Sequence, residues 1–200
     1  MSEIEETISE AVENAEKSHD GLNSLIAILV ALLATFMALC NIKDGNIVQA
    51  MSQDQAKAVD QWSYYQAKGM KENLAESVRD QLQLRKEQPG LSPQESALLD
   101  QQIKKYEGIV AKYVKEKEDI KRTAEEAEKD YDRLNVHDDQ FDMSEAAISI
   151  TIALLGVSAL TKKKWLVAVA VLFAGFGVVM GLAGFFGWAI HPDSFAKFLS

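Results

Sequence analysis

Hydrophobic positions follow two patterns along this chain, and the first is the unbroken run. Residues 22–42, 146–161 and 165–190 are almost wholly apolar and contain no Asp, Glu, Lys, Arg or His. A helix crossing roughly 30 Å of hydrocarbon needs about 20 residues at 1.5 Å rise each, which the first and third runs supply. The second, taken as 144–161, crosses when Lys162, Lys163 and Lys164 snorkel outward. A re-entrant second segment, leaving the third run to cross alone, is the other reading of its short length.

The second pattern is a seven-residue period in the charged stretch between the first two runs. Leu99, Ile103, Tyr106, Val110, Tyr113, Lys117, Ile120, Ala124, Ala127, Tyr131 and Leu134 advance by alternating steps of four and three, and only Lys117 is charged. Such a period keeps an apolar stripe facing one partner helix and marks a coiled-coil seam. The preceding arm, 46–86, offers Val48, Met51, Val59, Trp62, Tyr65, Met70, Leu74, Val78 and Leu82 in a looser register. Between the arms, Gln88-Pro89-Gly90-Leu91 breaks the helix and Ser92-Pro93-Gln94-Glu95 restarts it with a cap, a first-turn proline and a capping-box glutamate. Residues 135–140 read as a break ending the second arm, after which Asp142-Met143-Ser144-Glu145 caps the next span.

Together the patterns predict an all-α integral membrane protein. It has three transmembrane helices and a long antiparallel, coiled-coil helical hairpin between the first and second. The divisions are an acidic, partly helical tail (1–21), a first span (22–42), an extramembrane hairpin (43–143) turning near 88–92, a second span (144–161), a lysine loop (162–164), a third span (165–190) and a short tail (191–200). Positive charge in a very short loop between spans favours the cytoplasmic side. The lysine loop and the N-terminus are therefore expected in the cytoplasm and the hairpin in the periplasm.

Small residues line one face of two spans. Ser24, Ala27, Ala31, Ala34 and Ala38 do so in the first, and Ala170, Ala174, Gly177, Gly181 and Gly184 in the third. Such seams let helices approach closely, between spans or between subunits; glycine and alanine are also simply common in membrane helices. The lack of ionisable groups at depth argues against a pump or coupled transporter and leaves open a pore lined by backbone and hydroxyls.

Charge refines this picture. The net −9 divides as −6 for residues 1–21, −6 for 41–145 and +3 for 146–200, so no broad basic surface for nucleic acid exists. The tail's seven acidic residues against Lys17 alone do not make a secretory leader, and the first run reads as an uncleaved anchor; Met37-Ala38-Leu39-Cys40 is only a faint echo of a lipoprotein site. Ile4, Ile8, Ala11 and Ala15 form a narrow stripe that either docks a partner helix or belongs to a frayed, solvated one. Cys40 stands alone, excluding an intrachain disulfide. His19, His137 and His191 lie apart without zinc-ligand spacing. His137-Asp138-Asp139 with Asp142 reads as a divalent-cation loop or, more simply, a hydrated acidic one. Glycine-rich phosphate loops and nucleophile elbows are absent.

Asp60-Gln61-Trp62-Ser63-Tyr64-Tyr65-Gln66-Ala67-Lys68 concentrates aromatic rings with polar handles on a solvated arm, a composition suited to a subunit or partner contact and equally to packing inside the hairpin. Folding about Gly90 sets Tyr65 near Lys117, which either lies over the aromatic ring or snorkels as a polar break fixing register. With Met70-Lys71 after it, this nonapeptide resembles the signature of a bacterial membrane family catalogued as a domain of unknown function, number four-three-three-seven. The order of spans and insert is similar too. The resemblance implies a bacterial membrane location and supplies no activity, substrate or catalytic residue.

The functional expectation is a non-enzymatic, membrane-anchored structural or interaction protein without cofactor or small-molecule substrate. It would self-associate in the bacterial inner membrane, with lipid and a membrane-protein partner around it, and hold out a rigid helical hairpin as a scaffold or accessory subunit. The alternative is a channel or pore-forming effector whose glycine-rich third span lines the conduit.

Overall fold

The computed structural model describes residues 8–10, 21–188 and 190. Three long helices hold nearly all of them: α1, Gly21–Lys86; α2, Pro93–Thr161; and α3, Lys164–Phe186. No strand occurs among the described residues. Each helix contains a segment long and apolar enough to cross a membrane. Apart from Ile8, the tail stripe of Ile4, Ala11 and Ala15 lies outside the described residues, as do His19, His191 and the tail 191–200. The chain divides into two compact units, one of residues 1–51 with 132–200 and one of residues 52–131.

In the second unit α1 and α2 face each other. Partners descend along α2 from Glu128 to Asp100 as they climb along α1 from Trp62 to Lys86. On α2 the heptad positions Leu99, Ile103, Val110, Ala124 and Ala127 are buried, and Tyr106, Tyr113, Lys117, Ile120 and Tyr131 are half-buried. The facing row of α1 differs from the one its apolar residues suggest. Val59, Met70 and Leu74 stand 60, 69 and 67% exposed. The positions turned inward are Ala58, Gln61, Tyr65, Lys68, Glu72, Ala75, Arg79 and Leu82, which advance by strict steps of three and four. Ala58 and Ala75 let the helices close up, while the stems of Lys68 and Glu72 cover apolar surface and their charged ends find partners. At the turn, Gly90 takes φ 95°, a left-handed conformation that favours glycine. The Ser92 hydroxyl then accepts the Glu95 amide at 3.2 Å, and the Ser92 amide donates to the Glu95 carboxylate at 2.9 Å, closing the capping box that starts α2.

In the first unit all three helices share one apolar core. Ile26, Val30, Leu33 and Met37 of α1 pack with Ile148 and Leu155 of α2 and with Ala170 and Ala174 of α3. Packing and capping decide the course of the helices at three places. First, α1 runs through residue 42 without a break, because Met37, Cys40, Ile47 and Met51 are all buried on one face. That burial outweighs the roughly 1 kcal/mol that Gly45 costs in a helix interior. Second, residues 135–140 do not break α2, and the cap expected at 142–145 has no helix start to cap. Their polar side chains are satisfied in place: Asn135 reaches Asp139 one turn on, and His137 lies 3.2 Å from the Gln140 amide oxygen. With neither glycine nor proline present, nothing forces an interruption. Third, α3 ends at Phe186 and not at residue 190, since Gly187 adopts φ 68° and donates its amide to the Ala183 carbonyl. Between α2 and α3, Lys162 is left-handed and its amide bonds the Ser158 carbonyl at 2.8 Å.

Candidate functional site

The nonapeptide forms one half of a paired lock in the second unit. Trp62 and Tyr65, three residues apart and so on one face of α1, meet edge to face with centroids 5.6 Å apart. The Trp62 indole donates to the Glu128 carboxylate at 2.7 Å. Lys117 of α2 sits 5.1 Å over the Tyr65 ring, and its ammonium donates to Glu72 at 2.7 Å. Lys68 of α1 repeats this in the opposite sense, lying 5.3 Å over the Tyr113 ring of α2 and pairing with Glu116. Each arm thus places a lysine over the other's tyrosine and anchors it on the other's glutamate. The Glu72 hydrogen bond pushes the Lys117 ammonium above its ordinary value, and the Lys68 hydrogen bond holds the Glu116 carboxyl below its own. A Cβ on Gly69 would stand 3.8 Å from the Lys117 ammonium, an ordinary contact.

The other signature residues behave differently. Gln61 is half-buried, whereas Asp60, Tyr64 and Gln66 are exposed. Tyr113, already marked by the heptad, completes the lock with Glu72, Glu116 and Glu128, which carry no aromatic or motif signal of their own. Only the strict heptad phase of α1, which places Lys68 and Glu72 on one seam, could have pointed to part of it.

In the first unit the small-residue seam of α3 is turned inward. A Cβ on Gly177 would come within 2.8 Å of Ile148, one on Gly181 within 2.7 Å of Phe36, and one on Gly184 within 2.7 Å of Phe141. The glycines are the notches that admit these side chains, and Ala170 and Ala174 are buried beside them. Of the α1 seam, Ala27 and Ala34 are buried while Ser24, Ala31 and Ala38 are half-buried. Thr151 ties α2 to α3, donating to Ala147 at 2.8 Å and reaching the Ala170 carbonyl at 3.3 Å. Large apolar side chains, among them Leu32, Leu160, Leu172 and Phe186, face outward.

Next to this core lies a polar layer. Gln140 is fully buried and donates to the carbonyls of Trp188 at 2.8 Å and Ile190 at 2.7 Å, which fixes the chain beyond α3. Asp44 of α1 meets Asp138, Asp142 and Glu145 of α2. Burial first, then the Asp138 charge and the hydrogen bond with it, push the Asp44 carboxyl up to about 7. Burial likewise raises Asp142. The acidic residues expected in a hydrated loop or cation loop are therefore helical side chains, and no group of three or more His, Cys, Asp or Glu among the described residues is arranged to hold a metal ion.

A family model described as Domain of unknown function (DUF4337) matches residues 22–187, which takes in all of α2 and α3 and all but the first residue of α1. No curated protein and no solved structure matches the chain.

Proposed function

The chain belongs to this family of unknown function, and from that premise we propose a non-enzymatic, membrane-anchored structural or interaction protein that self-associates and bears a rigid antiparallel helical hairpin. Its work is holding and spacing, as a scaffold or as an accessory subunit of a membrane complex. The three apolar helical segments anchor it in a bacterial inner membrane, with the lysine loop on the cytoplasmic side and the hairpin on the periplasmic side. The observation that carries the reading is the use made of the signature side chains. Trp62, Lys68 and Lys117 each bridge two helices, giving a braced rod where an active site would leave polar groups converging on open space. The glycine notches of α3 support it as well, since phenylalanine and isoleucine side chains fill them and a glycine-lined conduit needs them open.

Light scattering of the full chain in mild detergent tests self-association, with a species larger than one chain expected and a strict monomer overturning that part. Ion flux through reconstituted vesicles tests the rest. Silent membranes support the scaffold, whereas a flux abolished by bulky replacements at Gly177 and Gly181 would replace it with a pore.

A further inference from the structure

The outer face of α1 in the second unit carries a row that the hairpin does not use. Val59, Ser63 and Gln66 are followed eleven residues on by Met70, Leu74 and Ser77, and all six are exposed. The row reaches back to Ser52 and forward to Gln81 without a charged position, and Arg85 ends it. Residues 52–131 hold 16 acidic and 14 basic side chains, so a solvated arm of ordinary composition would show charge on such a face several times over. The period differs from that of the seam as well. Eleven residues in three turns is 3.67 per turn, close to a straight helix, so the row runs nearly along the axis instead of winding with the hairpin.

We infer that this uncharged row of α1 is where a second copy of the chain docks, copy against copy through the same face. The inference rests on the self-associating scaffold proposed above and supplies its contact. With the small-residue seam of α3 closed over Ile148, Phe36 and Phe141, self-association must use some other surface. On a chain of net charge −9, like copies approach without repulsion where charge is missing. Serine and glutamine suit a self-contact because each can donate and accept, so a row of them pairs with its own copy, as a charged row cannot. The size agrees with this partner. The stretch from Ser52 to Gln81 is about 45 Å long, and a strip about 10 Å wide gives roughly 900 Å² over two copies, close to the lower limit for a specific interface. Anchoring both copies in one membrane raises their effective concentration enough for so small a contact to be occupied.

Copies in one bilayer share an orientation, so like positions meet, and a cysteine scan reads the contact directly. The full chain is reconstituted in phosphatidylcholine vesicles with a single added cysteine at Ser63, Gln66 or Ser77, or at Lys112 or Asp119 on the exposed side of α2, and then oxidised. The unaltered chain, whose Cys40 is buried, sets the background. Row positions are expected to give disulfide-linked dimers and the α2 positions none above background. Adding Gln66→Glu to the Ser63→Cys chain should lower the yield several-fold, and mixing that chain with one carrying Gln66→Lys and Ser63→Cys should restore it. The inference is overturned when no row position exceeds the α2 controls. If light scattering then still finds an oligomer, the scaffold stands and its contact lies elsewhere; if it finds a monomer, both fall.

Discussion

Replacing Asp44 by asparagine removes the charge that the first unit accommodates least well. The carboxyl lies beside Asp138, Asp142 and Glu145, and one of its oxygens is buried without a hydrogen-bond partner. Its pKa rises from 3.8 to about 7, so between those values the folded chain holds a proton that the unfolded chain has released. Stability therefore falls as pH rises through that window, is unaffected by this group below it, and carries the whole penalty above it. A shift of that size would correspond to about 4 kcal/mol at 1.36 kcal/mol per unit if water were fully excluded. At a half-exposed site, screening reduces this to about 1–2 kcal/mol. Asp44→Asn should accordingly be more stable than the natural chain by about 1 kcal/mol at pH 8, by a smaller margin at pH 5, and equal to it only below the unfolded value of 3.8. Cys40, one turn away and buried, provides the assay: a thiol-reactive dye reports thermal unfolding of the chain in mild detergent at pH 5, 6, 7 and 8. Each chain is normalised at every pH to its own fully unfolded signal, which removes the pH dependence of the dye reaction. A variant no more stable at pH 8, or an advantage that does not grow with pH, would refute the reasoning.

Substitution of the notch glycines should separate sharply from substitution elsewhere in α3. Gly181→Ala and Gly184→Ala force Phe36 and Phe141 aside and should each lower stability by about 1–3 kcal/mol in the same thermal assay, whereas Gly175→Ala, with open space before it, should be neutral or gain up to about 1 kcal/mol. Ser92→Ala opens the capping box at the start of α2 and should lower the chemical-denaturation midpoint by an amount equivalent to about 1 kcal/mol, with no change in slope. In a double-mutant cycle, Tyr65→Leu and Lys117→Met should be non-additive, because the ring and the ammonium touch; strict additivity would show that Lys117 depends on Glu72 alone. Trp62→Phe, which keeps the ring and loses the indole donor, should destabilise the chain less in a Glu128→Gln background than in the natural one.

Side-chain type along the chain was enough to locate the three apolar segments, the heptad of α2 and the turn with its capping box, because each rests on a local property: hydropathy, period, or a hydroxyl three residues before a carboxylate. The inward row of α1 was hidden for the converse reason. Gln61, Lys68, Glu72 and Arg79 are polar by type and half-buried by position, since their heads are paired or stay solvated while their stems pack. The apolar Val59, Met70 and Leu74 drew attention to the wrong face. Residues 135–140 look like a break by composition, yet stay helical because their hydrogen bonds close within the helix and onto Trp188 and Ile190. The glycines of α3 announced a close approach, but only the fold decided that Ile148, Phe36 and Phe141 fill it. Asp44 carries no sequence signal at all. Periodicity says how often a helix turns a residue inward; what stands opposite depends on the register between helices, and that is set by the packing of residues a hundred positions apart.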